Sequence, residues 1–130
     1  MSKLICPADI SVVYRGNTVS WNKFYEGGHW GKRYTIVEKY KSVFSLLILE
    51  ADIPKMDKMA IEVQYRNRQD VDNAVAMVKI FVDVLKGCKI PEDNTKHWRK
   101  LSMEYVPELE YKTIVFKVIP LNDKWQPLTN

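Results

Sequence analysis

Cysteine, histidine and long apolar runs are scarce in this chain, and each scarcity removes a class of function. The only thiols are Cys6 and Cys88, with nothing like a CxxC spacing. A thiolate-held metal is therefore not expected, and a reducing compartment leaves both as free thiols. The two histidines, His29 and His97, form no ligand pattern with each other or with the cysteines. The longest strongly apolar run spans 43–49 and is broken by Ser45, against the ~20 residues a membrane span needs. Residues 1–6 lack the apolar core and cleavage site of a signal peptide, so a cytoplasmic protein is expected. Repeats, low-complexity stretches and linker-like segments are missing too. The expectation is one domain over 1–130, with its core at about 8–120 and a frayed tail after Pro120.

What is present is an ordinary soluble composition, 46% hydrophobic and 28% charged. Twenty Lys and Arg against 16 Asp and Glu give a net charge of +4. That excess is modest, and its distribution says more. Lys32, Arg33, Lys39 and Lys41 cluster early; Arg66 and Arg68 precede an acidic stretch; Lys96, His97, Arg99 and Lys100 follow it. Carboxylates inside a basic surround suit a metal site in a phosphate-binding cleft. A solvated mixed-charge surface is the plainer alternative.

Hydrophobic periodicity outlines the elements. Residues 8–14 read as a strand before a turn at Arg15, Gly16 and Asn17. Residues 20–33, with three glycines among aromatic and basic side chains, read as a loop. Tyr34, Val37, Tyr40, Phe44 and Leu47 recur at helical spacing, giving a helix over 31–50 that ends before Pro54. Residues 58–66 alternate, with Met59, Ile61, Val63 and Tyr65 on one face, as in a half-buried strand. Residues 98–106 form a weaker strand and 111–119 a strong one, turning at Pro107 and Glu108. The fold class expected is α+β, a mixed sheet packed against two main helices.

The helix over 72–86 is apolar on most sides, and Gly87 ends it. At 100° per residue, Asp72, Ala76, Lys79, Asp83 and Lys86 fall within a stripe roughly 80° wide. So apolar a helix must pack on the sheet and on something more, and a second subunit is one candidate. The helices over 31–50 and 72–86 are the places to look for such an interface.

The stretch Arg68, Gln69, Asp70, Val71, Asp72, Asn73, with Lys79, Asp83 and then Glu92 and Asp93, carries the chemistry. Each part has a plain account. Asp72 suits an N-cap with Asp70 just outside it. Lys79 and Asp83 make an i,i+4 pair worth a few tenths of a kcal/mol. Glu92 and Asp93 suit a turn. Taken together, closely placed carboxylates repel one another, and Mg²⁺, which prefers oxygen ligands, relieves that repulsion.

This order of features, a strand, then Arg68-Gln69-Asp70-Val71-Asp72-Asn73, then a helix with Lys79 and Asp83-Val84-Leu85, Gly87, Glu92-Asp93 and a terminal β-pair, resembles the RusA family of phage and prophage Holliday junction resolvases. The match covers about 57–119, and the segment 22–33 is similar to an N-terminal signature of some phage members. The resemblance implies a homodimeric, Mg²⁺-dependent endonuclease, with Mn²⁺ as a substitute, that cuts four-way DNA junctions in recombination and repair. It implies Asp70, Asp72 and Asp93 as metal ligands, with Glu92 a further ligand or a neighbour of one, and Lys79 as the catalytic lysine. Two departures stand out: the family's lysine falls where this chain has Ala76, one turn before Lys79, and Glu92 stands where relatives often have Asp.

On that reading, metal-activated water attacks the phosphodiester and Lys79 stabilises the developing charge. The candidate DNA contacts are Lys23, His29, Trp30, Lys32 and Arg33, with Arg66 and Arg68 beside the acidic motif. A core anchor is the plain account of Trp30. Two other functions compete: a non-catalytic DNA-binding module on the same scaffold, and a small interaction protein with no nucleic-acid role.

Overall fold

Alternation along 58–66 and helical spacing along 72–86 both produce the elements they forecast. The computed structural model describes residues 10–18 and 30–128, with side chains from Thr35 onward in the first helix. In chain order it contains β1 (Ile10–Arg15), α1 (Trp30–Glu50), β2 (Lys58–Arg66), α2 (Val71–Leu85), β3 (Trp98–Tyr105) and β4 (Thr113–Leu121). The strands form one mixed sheet in the order β1-β4-β2-β3. β4 runs antiparallel to both β1 and β2, and β3 lies parallel to β2. This is an α+β fold, as the sequence pattern predicts. No helix among the described residues is long and apolar enough to cross a membrane.

Both helices cover one face of the sheet. Phe44 of α1 sits at the centre of the packing, with edge-to-face contacts to Tyr14, Phe81 and Phe116 at ring separations of 5.4, 5.7 and 5.4 Å. Phe81 of α2 stacks on Phe116 of β4 at 4.2 Å. Large aromatic surfaces in these geometries give the core much of its burial energy. Removing the Phe44 ring leaves a cavity shared by both helices and the sheet, at a cost of about 3–5 kcal/mol.

Several boundaries differ from the sequence expectation. α1 begins at Trp30, so Trp30, Lys32 and Arg33 lie on its opening turn and not in the loop over 20–33. Their side chains lie outside the described residues, as do Lys23, His29 and Cys6. α1 is closed by Asp52 in the left-handed region (φ 56°), two residues before Pro54. The tail is ordered where fraying is expected: β4 continues to Leu121, and Leu128 N–H donates to the Pro120 carbonyl at 3.2 Å. The apolar side chains of α2 are almost all used within the chain, among them Met77, Val78, Phe81 and Leu85. α1 is the helix left with outward apolar residues, Leu46 and Leu49 at 63% and 73% exposure.

Candidate functional site

Between β2 and the N-cap of α2 lie three residues, Asn67, Arg68 and Gln69, held by side-chain hydrogen bonds. Asn67 Oδ1 accepts from the Gln69 backbone N–H at 2.7 Å, a side-chain-closed turn. Asn67 Nδ2 and Thr18 Oγ1 both donate to Gln69 Oε1, at 3.2 and 3.0 Å. Tyr65 Oη donates to the Gln69 carbonyl at 3.0 Å. The turn is therefore held from the strand before it and from the segment after β1.

Asp70 occupies the N-cap of α2, where the sequence pattern assigns Asp72, and its side chain makes no capping hydrogen bond. The cap is made by the main chain alone: Asn73 N–H and Ala74 N–H donate to the Asp70 carbonyl at 3.0 and 2.9 Å. Asp72 lies in the first turn, exposed to solvent. Both carboxylates sit where the helix dipole favours negative charge. Both also act on the Tyr65 hydroxyl, whose pKa is raised by burial first, then by Asp70, Tyr105 and Asp72. The pair suits Mg²⁺, which is commonly held by one or two carboxylates with substrate phosphates and water completing the shell.

Beside this pair lies a cavity of about 280 Å³ walled by Asn17, Thr18, Arg68, Gln69, Tyr111 and Lys112. Three separate segments build it. Gly16 N–H donates to the Lys112 carbonyl at 3.0 Å, and Lys112 N–H to the Arg66 carbonyl at 2.8 Å. Tyr14 and Tyr40 hydroxyls both donate to the Asn17 carbonyl, at 2.5 and 3.1 Å. Gly16 has φ 148°, and a Cβ there would lie 3.0 Å from the Tyr14 hydroxyl, so a larger residue at this turn is strained and must displace the Tyr14 ring. Burial, reinforced by Tyr40, pushes the Tyr14 hydroxyl up to about 12, which keeps it a neutral donor across the physiological range.

The remaining sequence-predicted residues divide. Arg68 is exposed and lines the cavity. Arg66 is half-buried; its Nη1 donates to the Leu109 carbonyl at 3.0 Å and its guanidinium lies 5.9 Å from the Tyr111 ring, holding the β3–β4 connection. Lys79 is exposed on the stripe that carries Asp72, Asp83 and Lys86, about 10 Å along the helix axis from Asp72 at 1.5 Å per residue. Ala76, between them, is only 2% exposed, so the seam is closed there by packing.

Glu92 and Asp93 lie at the other end of α2. Lys86 Nζ reaches Glu92 Oε1 at 2.9 Å, and Asp93 N–H donates to the same oxygen at 3.3 Å. The Lys86 pKa is raised by Glu92 first, then by Asp93. Along a straight helix Lys86 is about 20 Å from Asp72. Asp70 and Asp72 both stand at the start of α2, two residues apart, while Asp93 lies toward the other end of the helix. Among the described residues, no group of three or more His, Cys, Asp or Glu is gathered closely enough to hold a metal ion.

Sequence reasoning missed Lys112 and Tyr111, which reach the cavity from the β3–β4 connection, 40 residues beyond the motif. No local pattern announces them. It also missed the role of Asn67, although an Asn whose side chain can accept from the backbone N–H two residues on is a known turn signal.

No model of a known protein family matches the chain, and no curated protein matches it either. The resemblance to RusA resolvases rests on the motif residues named above.

Proposed function

We propose that this chain is a Mg²⁺-dependent, structure-specific DNA endonuclease of the RusA type, acting on four-way junctions or other branched DNA. One observation carries the reading: Asp70 and Asp72 stand together at the start of α2, with the Asp70 carboxylate not spent on capping, directly after residues that line a basic cavity. Asp70 and Asp72 would hold the cation. Once bound, it supplies Lewis-acid polarisation of the phosphate and an acidified water. The protein's own groups supply the rest. Arg68 and Lys112 neutralise phosphate oxygens and fix the strand in register. Lys79 places a positive charge further along the same helix face, where a flanking phosphate would run. Two copies related by a two-fold axis would present two such sites to the two strands of a junction. The outward apolar residues of α1, Leu46 and Leu49, are the surface assigned to that contact.

A second reading, a branched-DNA-binding module without catalysis, draws on the distance between Asp93 and the Asp70–Asp72 pair. Cleavage of a labelled synthetic four-way junction, with Mg²⁺ and with chelator, beside linear duplex, separates the two. Paired symmetric nicks that need Mg²⁺ and spare duplex support the endonuclease. Tight binding without cutting supports the module. Absence of both overturns the nucleic-acid reading.

A further inference from the structure

The face of the sheet away from the helices carries its own built cavity. It lies against the start of β2, whereas Asp70 follows the end of β2, on the helix side. Its volume is about 460 Å³, within the range of small-ligand sites. Ala60, Ile119 and Leu121 form an apolar floor, and Ala60 keeps the floor low because it has no side chain beyond Cβ. Arg99, Lys100 and Lys124 stand around it. Trp125 and Pro127, from the folded-back tail, make the wall.

Two local devices aim this wall. The tail turns tightly after β4: Asn122 N–H donates to the Gln126 carbonyl at 2.9 Å, and Asn122 Oδ1 accepts from Lys124 N–H and Gln126 N–H at 2.9 and 3.1 Å. The turn holds Trp125 at φ 62°, a backbone conformation disfavoured for a bulky residue. Opposite it, the β2–β3 register slips between Met59 and Ala60, so that Met59 pairs with Trp98 and Ala60 with Lys100. Arg99 is the extra residue of that bulge, and bulges re-aim side chains. Its guanidinium lies 4.0 Å from the centre of the Trp125 ring, while Nε donates to the Thr95 carbonyl at 2.8 Å. Among the described residues neither Arg99 nor Lys124 has an ion-pair partner, whereas Lys58 nearby is held by Asp57 at 2.7 Å.

We infer that this cavity binds an unpaired nucleotide of single-stranded DNA, its base against Trp125 and its phosphates on Lys100, Lys124 and Arg99. An apolar floor beside an aromatic ring, with Arg99 and Lys124 outside any ion pair and Lys100 held only at 4.0 Å by Glu62, suits a base and its backbone; the base would meet Trp125 beside Arg99 at 4.0 Å and Lys58 at 5.6 Å from its ring. The choice of DNA over other flat anions rests on the function proposed above; the cavity, the cations and the strained tryptophan do not.

The test is fluorescence anisotropy of a labelled oligothymidylate titrated with the full-length chain across a salt series. Binding should weaken about tenfold in Trp125→Ala and recover most of that in Trp125→Phe. Lys124→Glu, at an exposed position, should weaken binding and flatten the salt slope. Glu38→Gln, exposed on α1 and outside both sites, should leave oligothymidylate affinity unchanged. Full affinity in both Trp125→Ala and Lys124→Glu overturns the inference, and Lys124→Glu decides alone if Trp125→Ala does not fold. Junction cleavage with oligothymidylate binding indifferent to both Trp125 and Lys124 removes this inference and leaves the endonuclease. Trp125-dependent binding without junction cleavage does the reverse.

Discussion

The N-terminal end of α2 carries Asp70 and Asp72; the C-terminal end carries Lys86 facing Glu92 and Asp93. Both ends hold two acids within a few residues, yet the protein treats them differently. At the C-terminal end a lysine from the helix closes on Glu92, whose pKa is lowered by Lys86 and by the Asp93 N–H. That acid is committed to tethering the loop that leaves the helix. At the N-terminal end the Asp70 side chain makes no capping hydrogen bond, and the residues just before it, Arg68 and Gln69, line a cavity that Lys112 also walls. The lesson is that an acidic pair is chemically available only where nothing nearby has already neutralised or capped it.

The strongest way to break this comparison is to remove one acid from each end. Asp72→Asn or Asp70→Asn should lower junction cleavage by about 10³-fold while leaving junction binding intact or tighter, since a negative charge near phosphate is lost. Asp93→Asn should retain cleavage within a few-fold. Equal loss at both ends, read from single-turnover rates, would mean that Asp93 reaches an Asp70–Asp72 pair after all, from another copy of the chain.

Next in size is Ala76→Lys, which would restore the family's lysine position. Because Ala76 is 2% exposed, a lysine there must bury a charge or push the helix away. It should cost at least about 3 kcal/mol in chemical denaturation. A stability near wild type would show that the seam opens, and would reinstate position 76 as a catalytic site. Lys79→Ala should lower cleavage by about 10²-fold with little change in melting temperature. Near-normal turnover would remove Lys79 from the chemistry.

The smallest effect belongs to the C-terminal clasp. Glu92 has its pKa lowered in the folded chain, so its contribution is present above the ordinary carboxylate range and lost as pH falls. The melting temperatures of wild type and Glu92→Gln should differ slightly at neutral pH and converge in acid. Both groups are exposed, so added salt should also shrink the difference. A large gap that persists in high salt would mean the clasp is structural in a way its exposure does not suggest.

Much of this was legible in advance, for reasons that can be stated. Residues 58–66 and 72–86 carry strong periodicity and short connections, and both elements stand within a residue or so of their forecast. The helix cap was displaced from Asp72 to Asp70 because either aspartate satisfies the local rule. The choice fell to the Asn67–Gln69 turn, which fixes where the strand must stop. α1 opens at Trp30, one residue before the helix expected over 31–50; only the end of the loop expected over 20–33 overlaps it, because three glycines there read as loop. The tail was missed because Trp125 meets Arg99, 26 residues earlier in the chain, a contact no local pattern encodes.

Sequence alone determined the α+β class, the extent of β2 and α2, and the residue types gathered at the motif, because these follow from local periodicity and side-chain chemistry. Tertiary structure decided which acids meet. It placed Asp93 at the opposite end of α2 because β3 runs parallel to β2 and the chain must return to the start of β2 before entering it. It closed position 76 by packing and brought Lys112 to the cavity by antiparallel pairing of β4 with β1 and β2. Distances between residues far apart in the chain are set by strand order and direction, which no local spacing encodes.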